Sequence, residues 1–244
     1  MSPRITLATT ERVLRQLRHD HRTVALVLLV PTLLLTLFRY VFDGQPETFD
    51  RVGAPMVGIF PLVSMFLVTS IAMLRERTSG TLERLMSLPL GKLDLLLGYG
   101  LAFALVAVVQ ASLAAAVAFG LLGLDVEGSI LLVVLLAVAN AVLGMALGLF
   151  LSAFASTEFQ AVQFMPAVIL PQLLLCGLLV PRELMVPLLE WVSALLPMTY
   201  AYDGLARATS GEGGAELALD VAVVLGSIVV ALALGAATLR RRTP

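Results

Sequence analysis

The chain has 244 residues, of which 59% are hydrophobic and 14% charged, and its net charge at pH 7 is −1. A soluble domain of ordinary composition carries about 25% charged residues, so this chain lacks the charge to coat a solvated surface. The near-zero balance gives no case for a nucleic-acid partner, and the single cysteine, Cys176, forms no disulfide within the chain.

Residues 1–22 set Leu7, Val13, Leu14 and Leu17 among Arg12, Arg15, Arg18 and Arg22. This pattern predicts an amphipathic helix on the inner membrane surface, with its arginines toward anionic lipid. His19 and His21 are two positions apart on that helix, do not share a face, and suggest no metal site. Beyond them the charges are segregated. Thr23–Phe38, Met56–Leu74, Leu95–Leu124, Gly128–Thr157, Phe159–Pro181 and Val221–Leu239 contain none. Such runs match the roughly 17–25 residues that cross a hydrocarbon core, and none alternates as a barrel strand would. They predict an all-α membrane protein with six transmembrane helices at about 23–42, 54–74, 95–122, 129–152, 160–180 and 219–239. The first reaches full length by continuing through Arg39, whose head can snorkel to the interface.

Placing both termini in the cytoplasm puts Arg4–Arg22, Arg75–Lys92 and Arg240–Arg242 inside, and leaves Arg39, Arg51, Arg182 and Arg207 outside. The positive-inside rule selects that orientation. The inner segments are then 1–22, the loop 75–94 and the tail 240–244. Arg39, Glu158 and Asp220 fall at span ends, where water reaches them. The stretch 181–202 holds two short apolar pieces broken by Pro181, Pro187 and Pro197, with Trp191, Tyr200 and Tyr202 as headgroup-level anchors. It predicts a re-entrant hairpin on the outer side.

Few side chains are suited to chemistry. The sequence lacks G-x-x-x-x-G-K-[ST], so it has no phosphate-cradling loop of its own, and no span carries a row of carboxylates. Asn140, Gly144, Gly148 and Ser152 recur every four residues on the fourth span, a small-residue stripe that lets another helix approach. Ala107, Ala111 and Ala115 form a similar stripe on the third. Pro61, Pro166 and Pro171 each delete a helical donor. Gln163, Phe164 and Gln172 on the fifth span are candidate pathway residues.

The inner loop carries the sharpest signal. Gly80–Leu88 predicts a short amphipathic helix ended by Pro89, a lever between the second and third spans. Glu76, Arg77, Gly80, Thr81, Leu82, Glu83 and Leu85, then Pro89, resemble the E-R-x-x-G-T-L-E-x-L pattern of the membrane subunit of ABC-2 type exporters. Pro187, Trp191, Leu196-Pro197-Met198-Thr199-Tyr200 and Asp203-Gly204 are similar to that family's outer hairpin. Leu196 stands where the family has asparagine, and Leu97-Gly98-Tyr99 lacks the lysine of its Leu-Gly-Lys.

The resemblance covers about residues 10–240 and is closest to the bacterial drug-export branch, such as daunorubicin-type permeases. It implies the ABC-2 exporter fold and a coupling role for the loop motif. It also implies two copies of a cytoplasmic ATP-binding subunit and a second permease subunit, expected to be identical. No cofactor is implied in this chain, because ATP and Mg bind the partner. The expected activity is export of a lipophilic or amphiphilic compound across a bacterial inner membrane, with no enzymatic step in this chain. The competing readings are a non-transporting scaffold, and a secondary transporter or channel.

Overall fold

Charge-free runs of this length satisfy their backbone groups in lipid only by closing helices. The computed structural model of the chain describes residues 3–81 and 91–238. In chain order it contains α1 (Pro3–His19), α2 (His21–Val41), α3 (Pro46–Thr78), α4 (Lys92–Gly120) and α5 (Ile130–Leu151). A tight turn at Ser152–Phe154 follows. Then come α6 (Glu158–Phe164), a wide π turn at Met165–Ile169, and α7 (Leu170–Leu175). A second tight turn, Arg182–Leu184, leads to α8 (Pro187–Ala194), α9 (Pro197–Thr209) and α10 (Ala215–Thr238). Among the described residues, six helical stretches are long and apolar enough to cross a membrane: α2, α3, α4, α5 with its turn, α6–α7 and α10.

The stretch expected at about 54–74 lies within a single 33-residue helix, α3. At 1.5 Å per residue it is about 50 Å long, well beyond the hydrocarbon thickness. Pro46 at its first turn and Glu47 beside the helix dipole start it early. Arg75–Thr78 prolong it at the other end. Pro55 and Pro61 lie inside without stopping it. The α1–α2 elbow is set by Asp20, whose side chain caps α2 by accepting from the Thr23 N–H at 3.1 Å and the Thr23 hydroxyl at 2.6 Å.

The α3–α5 contact is the centre of the bundle, and small residues make it possible. A β-carbon on Gly144 would collide with the Leu62 carbonyl, and one on Gly148 with Thr69 Oγ1 and the Phe66 carbonyl. The stripe on α5 is therefore a contact within the subunit. Thr69 uses the closeness to donate across the helices to the Met145 carbonyl at 3.2 Å. Asn140 donates to the Ala201 carbonyl at 3.0 Å and so fastens α9 to α5. Ser152, fully buried, donates to Leu149 within the same helix end. On α4, Gln110 donates to the Val27 carbonyl at 2.6 Å and to Ser64 Oγ at 2.9 Å, joining α2, α3 and α4. Ala107, Ala111 and Ala115 line the same buried side.

Two spans stay at the edge. Only 17% of the apolar window of α2, and of α6–α7, is buried inside the subunit, against 61% for α3.

Candidate functional site

One end of the bundle gathers α1, the end of α3, the start of α4 and the start of α6. Glu76 and Arg77 lie in the last turn of α3, and Gly80 closes that helix with φ +70°. Only a residue free of a β-carbon takes that conformation cheaply. The Gly80 N–H caps the Arg77 carbonyl, and the Ser79 hydroxyl meets Thr81 Oγ1 at 3.0 Å. Leu82, Glu83, Leu85 and Pro89 lie outside the described residues.

Arg75 makes a two-pronged pair with Glu158, Nε to Oε1 at 2.7 Å and Nη2 to Oε2 at 3.1 Å, tying the end of α3 to the start of α6. Glu76 turns the other way. Its carboxylate lies 3.6 Å from Arg12 of α1 and takes a bond from Gln16 at 3.4 Å. Arg12 also donates to the buried Tyr99 hydroxyl of α4. A cavity of about 470 Å³ opens between α1 and α3, with Gln16, Asp20, Arg75, Glu76 and Ser79 around it.

α1 packs one face against the start of α4. Its buried face is Thr6, Thr9, Thr10 and Val13, whereas Leu7 is exposed. The reason is a close approach: a β-carbon on Gly98 would meet Thr9 Cβ at 2.5 Å, and the Thr10 hydroxyl donates to the Gly98 carbonyl at 3.0 Å. Small β-branched hydroxyls fit this seam and leucine does not. Arg15, Arg18 and Arg22 remain exposed.

Along α6–α7, Gln163 is exposed, Phe164 is half-buried, and Gln172 is buried with its Nε2 on the Val168 carbonyl at 3.1 Å. Pro166 and Pro171 flank this part of the helix. The π turn at Met165–Ile169 widens the helix where Pro166 removes a donor.

The opposite end of the bundle holds the 176–214 region. Pro187 opens α8 and Pro197 opens α9. Trp191 is exposed, and the Tyr200 hydroxyl donates to the Ala194 carbonyl at 2.8 Å across the α8–α9 joint. Leu196 occupies the N-cap of α9 and offers no side-chain bond. A polar N-cap is worth about 1 kcal/mol. Leu196→Asn is therefore expected to raise the melting temperature by roughly 2–4 °C for a chain of this size, read by thermal unfolding in detergent.

Charge is concentrated beside this joint. Arg182 pairs with Asp203 at 2.9 Å. Arg207 pairs with Asp220 at 3.1 Å, with Glu216 more closely, and with Glu212 at 3.9 Å. Asp220, expected at a wet helix end, is instead 4% exposed, because α9 folds over it and supplies Arg207. Burial, opposed in part by Arg182, pushes the Asp203 carboxyl up to about 6. The sequence reading missed both pairs. Their only sequence signal is the density of opposite charges between two apolar spans. Asp203 and Arg207 face a wide cavity of about 750 Å³. Among the described residues, no group of three His, Cys, Asp or Glu is placed to hold a metal ion.

Comparison with known proteins places this architecture. The family model described as "ABC-2 type transporter" matches residues 4–208. ABC transporter G family member 23 of Dictyostelium discoideum is 30% identical over 170 residues, 69% of this chain and 24% of that protein. ABC transporter G family member 20 of the same organism is 29% identical over 65% of this chain and 22% of its own length. The inner membrane transport permease YhhJ of Escherichia coli K12 is 28% identical over 181 residues, 74% of this chain and 48% of that protein. The chain thus matches between about a fifth and a half of the length of these curated relatives. The chain belongs to the ABC-2 type transporter family.

Proposed function

We propose that the chain is the permease of an ATP-driven exporter, working with two copies of a separate cytoplasmic ATP-binding subunit and with a second copy of itself. Permease subunits of this family do not hydrolyse ATP themselves. The observation that carries the reading is the end of α3. A helix longer than the membrane ends in the polar turn Glu76–Thr81, capped by Gly80 and held on both flanks, by Arg75–Glu158 and by Glu76–Arg12. A push delivered there reaches α1, α4 and α6 as well as α3. The segment 82–90, with Glu83 and Pro89, is the contact offered to the ATP-binding subunit. Both termini are cytoplasmic in this reading, and α8–α9 form the outer hairpin.

The edge spans support pairing with a second permease. Gln163 and the π turn of α6–α7 are polar and irregular features, unfavourable against lipid and comfortable against protein or a water-filled path. The transported compound in this reading is lipophilic or amphiphilic, the class that the resemblance to the drug-export branch implies. Drug export is one such activity, in a bacterial inner membrane. Gentle purification of the tagged chain from its native membrane tests the reading. A soluble protein with ATPase activity is expected to co-purify, and the complex to transport ATP-dependently in proteoliposomes. Recovery of the chain alone, with ion-gradient-driven flux needing no ATPase, would contradict it.

A further inference from the structure

Two cavities beside α1 run into one another. The one between α1 and α3, about 470 Å³, shares Leu17, Thr23, Val68 and Phe103 with a second of about 180 Å³ that continues between α2 and α4. The wider part is polar, with Gln16, Asp20, Arg75 and Ser79 among its walls. The narrower part is walled by aliphatic side chains, Val24, Leu28, Val106 and Val109 among them. From Tyr99 at the polar end to Val109 at the apolar end, the cleft follows α4 for about 15 Å at 1.5 Å per residue. That is one leaflet's share of a hydrocarbon core about 30 Å thick. The cleft opens sideways to the bilayer, since Leu26, Leu105 and Val109 line it and are exposed. The outward face of α2 beside it is aliphatic, as suits lipid, with Leu29, Leu33 and Leu37 exposed.

We infer that this cleft binds one phospholipid with a zwitterionic head, phosphatidylethanolamine, its phosphate on Arg75, its ammonium on Asp20 and one acyl chain between α2 and α4. The site stands whichever side of the membrane the α1 end faces, and apart from the export reading.

The charges at the mouth decide the head group. Arg75 spends its Nε proton and one Nη2 proton on Glu158, which leaves the Nη1 donors for an anion. Asp20 accepts from Thr23 through both oxygens, and those bonds hold its carboxyl below the ordinary range and ionised at neutral pH. A carboxylate has about four lone-pair sites, so an ammonium can join the Thr23 donors. Glu76, also on the wall, is paired with Arg12. Asp20 and Arg75 are near enough to feel each other's charge but are bonded elsewhere, which leaves two opposite charges at one opening. A head carrying phosphate alone would meet Asp20 unfavourably, and a lone cation would meet Arg75. A zwitterion satisfies both through charge-assisted bonds. The apolar end adds fit rather than affinity, because a chain leaving the bilayer for an aliphatic groove exchanges one hydrocarbon surrounding for another. Selectivity therefore rests on the head group.

The test gives the full chain, purified in detergent, equimolar phosphatidylethanolamine and phosphatidylglycerol, and reads retained lipid by native mass spectrometry. One bound phosphatidylethanolamine is expected, favoured roughly tenfold, a discrimination within reach of one charge-assisted bond. Asp20→Asn keeps an N-cap as good as aspartate and is expected to bring the two lipids to parity with an unchanged melting temperature. Val109→Trp, at a half-exposed position on the apolar end, is expected to fill the groove and cut retention of both lipids. Phosphatidylglycerol favoured by the parent would mean that the arginines of α1 recruit an anionic surface, and would overturn the inference. Equal retention of the two lipids by the parent overturns it as well. So does a preference that survives Asp20→Asn, or full retention in Val109→Trp.

Discussion

Gly144→Val is expected to collapse the fold's stability, while Gly226→Ala leaves it intact. The Gly144 β-carbon position coincides with the Leu62 backbone carbonyl, and backbone cannot swing aside as a side chain can. Overpacking a well-packed core costs about 1–3 kcal/mol even where side chains give, and separating α3 from α5 here would also strain the Thr69–Met145 bond. Gly148→Val meets Thr69 and the Phe66 carbonyl and is expected to act alike. Gly226, in α10, has nothing among the described residues within 4 Å of its β-carbon position. There alanine gains up to about 1 kcal/mol of helix propensity. Thermal unfolding of the detergent-purified variants separates the outcomes. A Gly144→Val protein melting with the parent would show that α3 and α5 are not in this register.

Gly80→Ala is expected to uncouple the complex while leaving the subunit folded. Among the described residues, no atom lies within 4 Å of the added carbon, and the substitution acts through the left-handed backbone at φ +70°. The strain is about 1–2 kcal/mol, enough to favour continuation of α3 past Thr78 and re-aim the segment that follows. Membrane insertion and melting temperature are expected to stay near the parent. Substrate-stimulated ATP turnover of the purified complex is expected to fall roughly tenfold, the factor that 1.4 kcal/mol corresponds to. Full stimulation in Gly80→Ala, with Glu83→Ala also unchanged, would remove the 76–89 motif from the coupling role.

Much of this architecture was legible in the chain because lipid leaves few choices. A run without charge must be a helix, and the six runs stand as six spans. The Gly144–Gly148 spacing pointed to a close helix contact, and the structure supplies its partner, α3. Pro166 and Pro171 marked a disturbed fifth span, although neither foretells a π turn. What stayed hidden depends on tertiary partners. The threonine face of α1 is buried on the bundle, because Gly98 offers a seam that small side chains enter, and no apolar pattern announces that contact. Glu76 has a partner within the chain, Arg12, that no spacing in the sequence announces. Asp220 read as solvated because it sits at the edge of an apolar run. Its burial follows from α9 folding back, which no periodicity encodes.

The account turns on which side of the membrane the capped end of α3 faces. Ser79→Cys, in a Cys176→Ser chain, is exposed for labelling beside Gly80, and Ser210→Cys marks the opposite end of the bundle. Treating intact cells with a membrane-impermeant maleimide is expected to modify the position-210 thiol and spare the position-79 thiol until the cells are opened. Modification at position 79 in sealed cells would put the proposed lever on the side where no ATP-binding subunit can reach it.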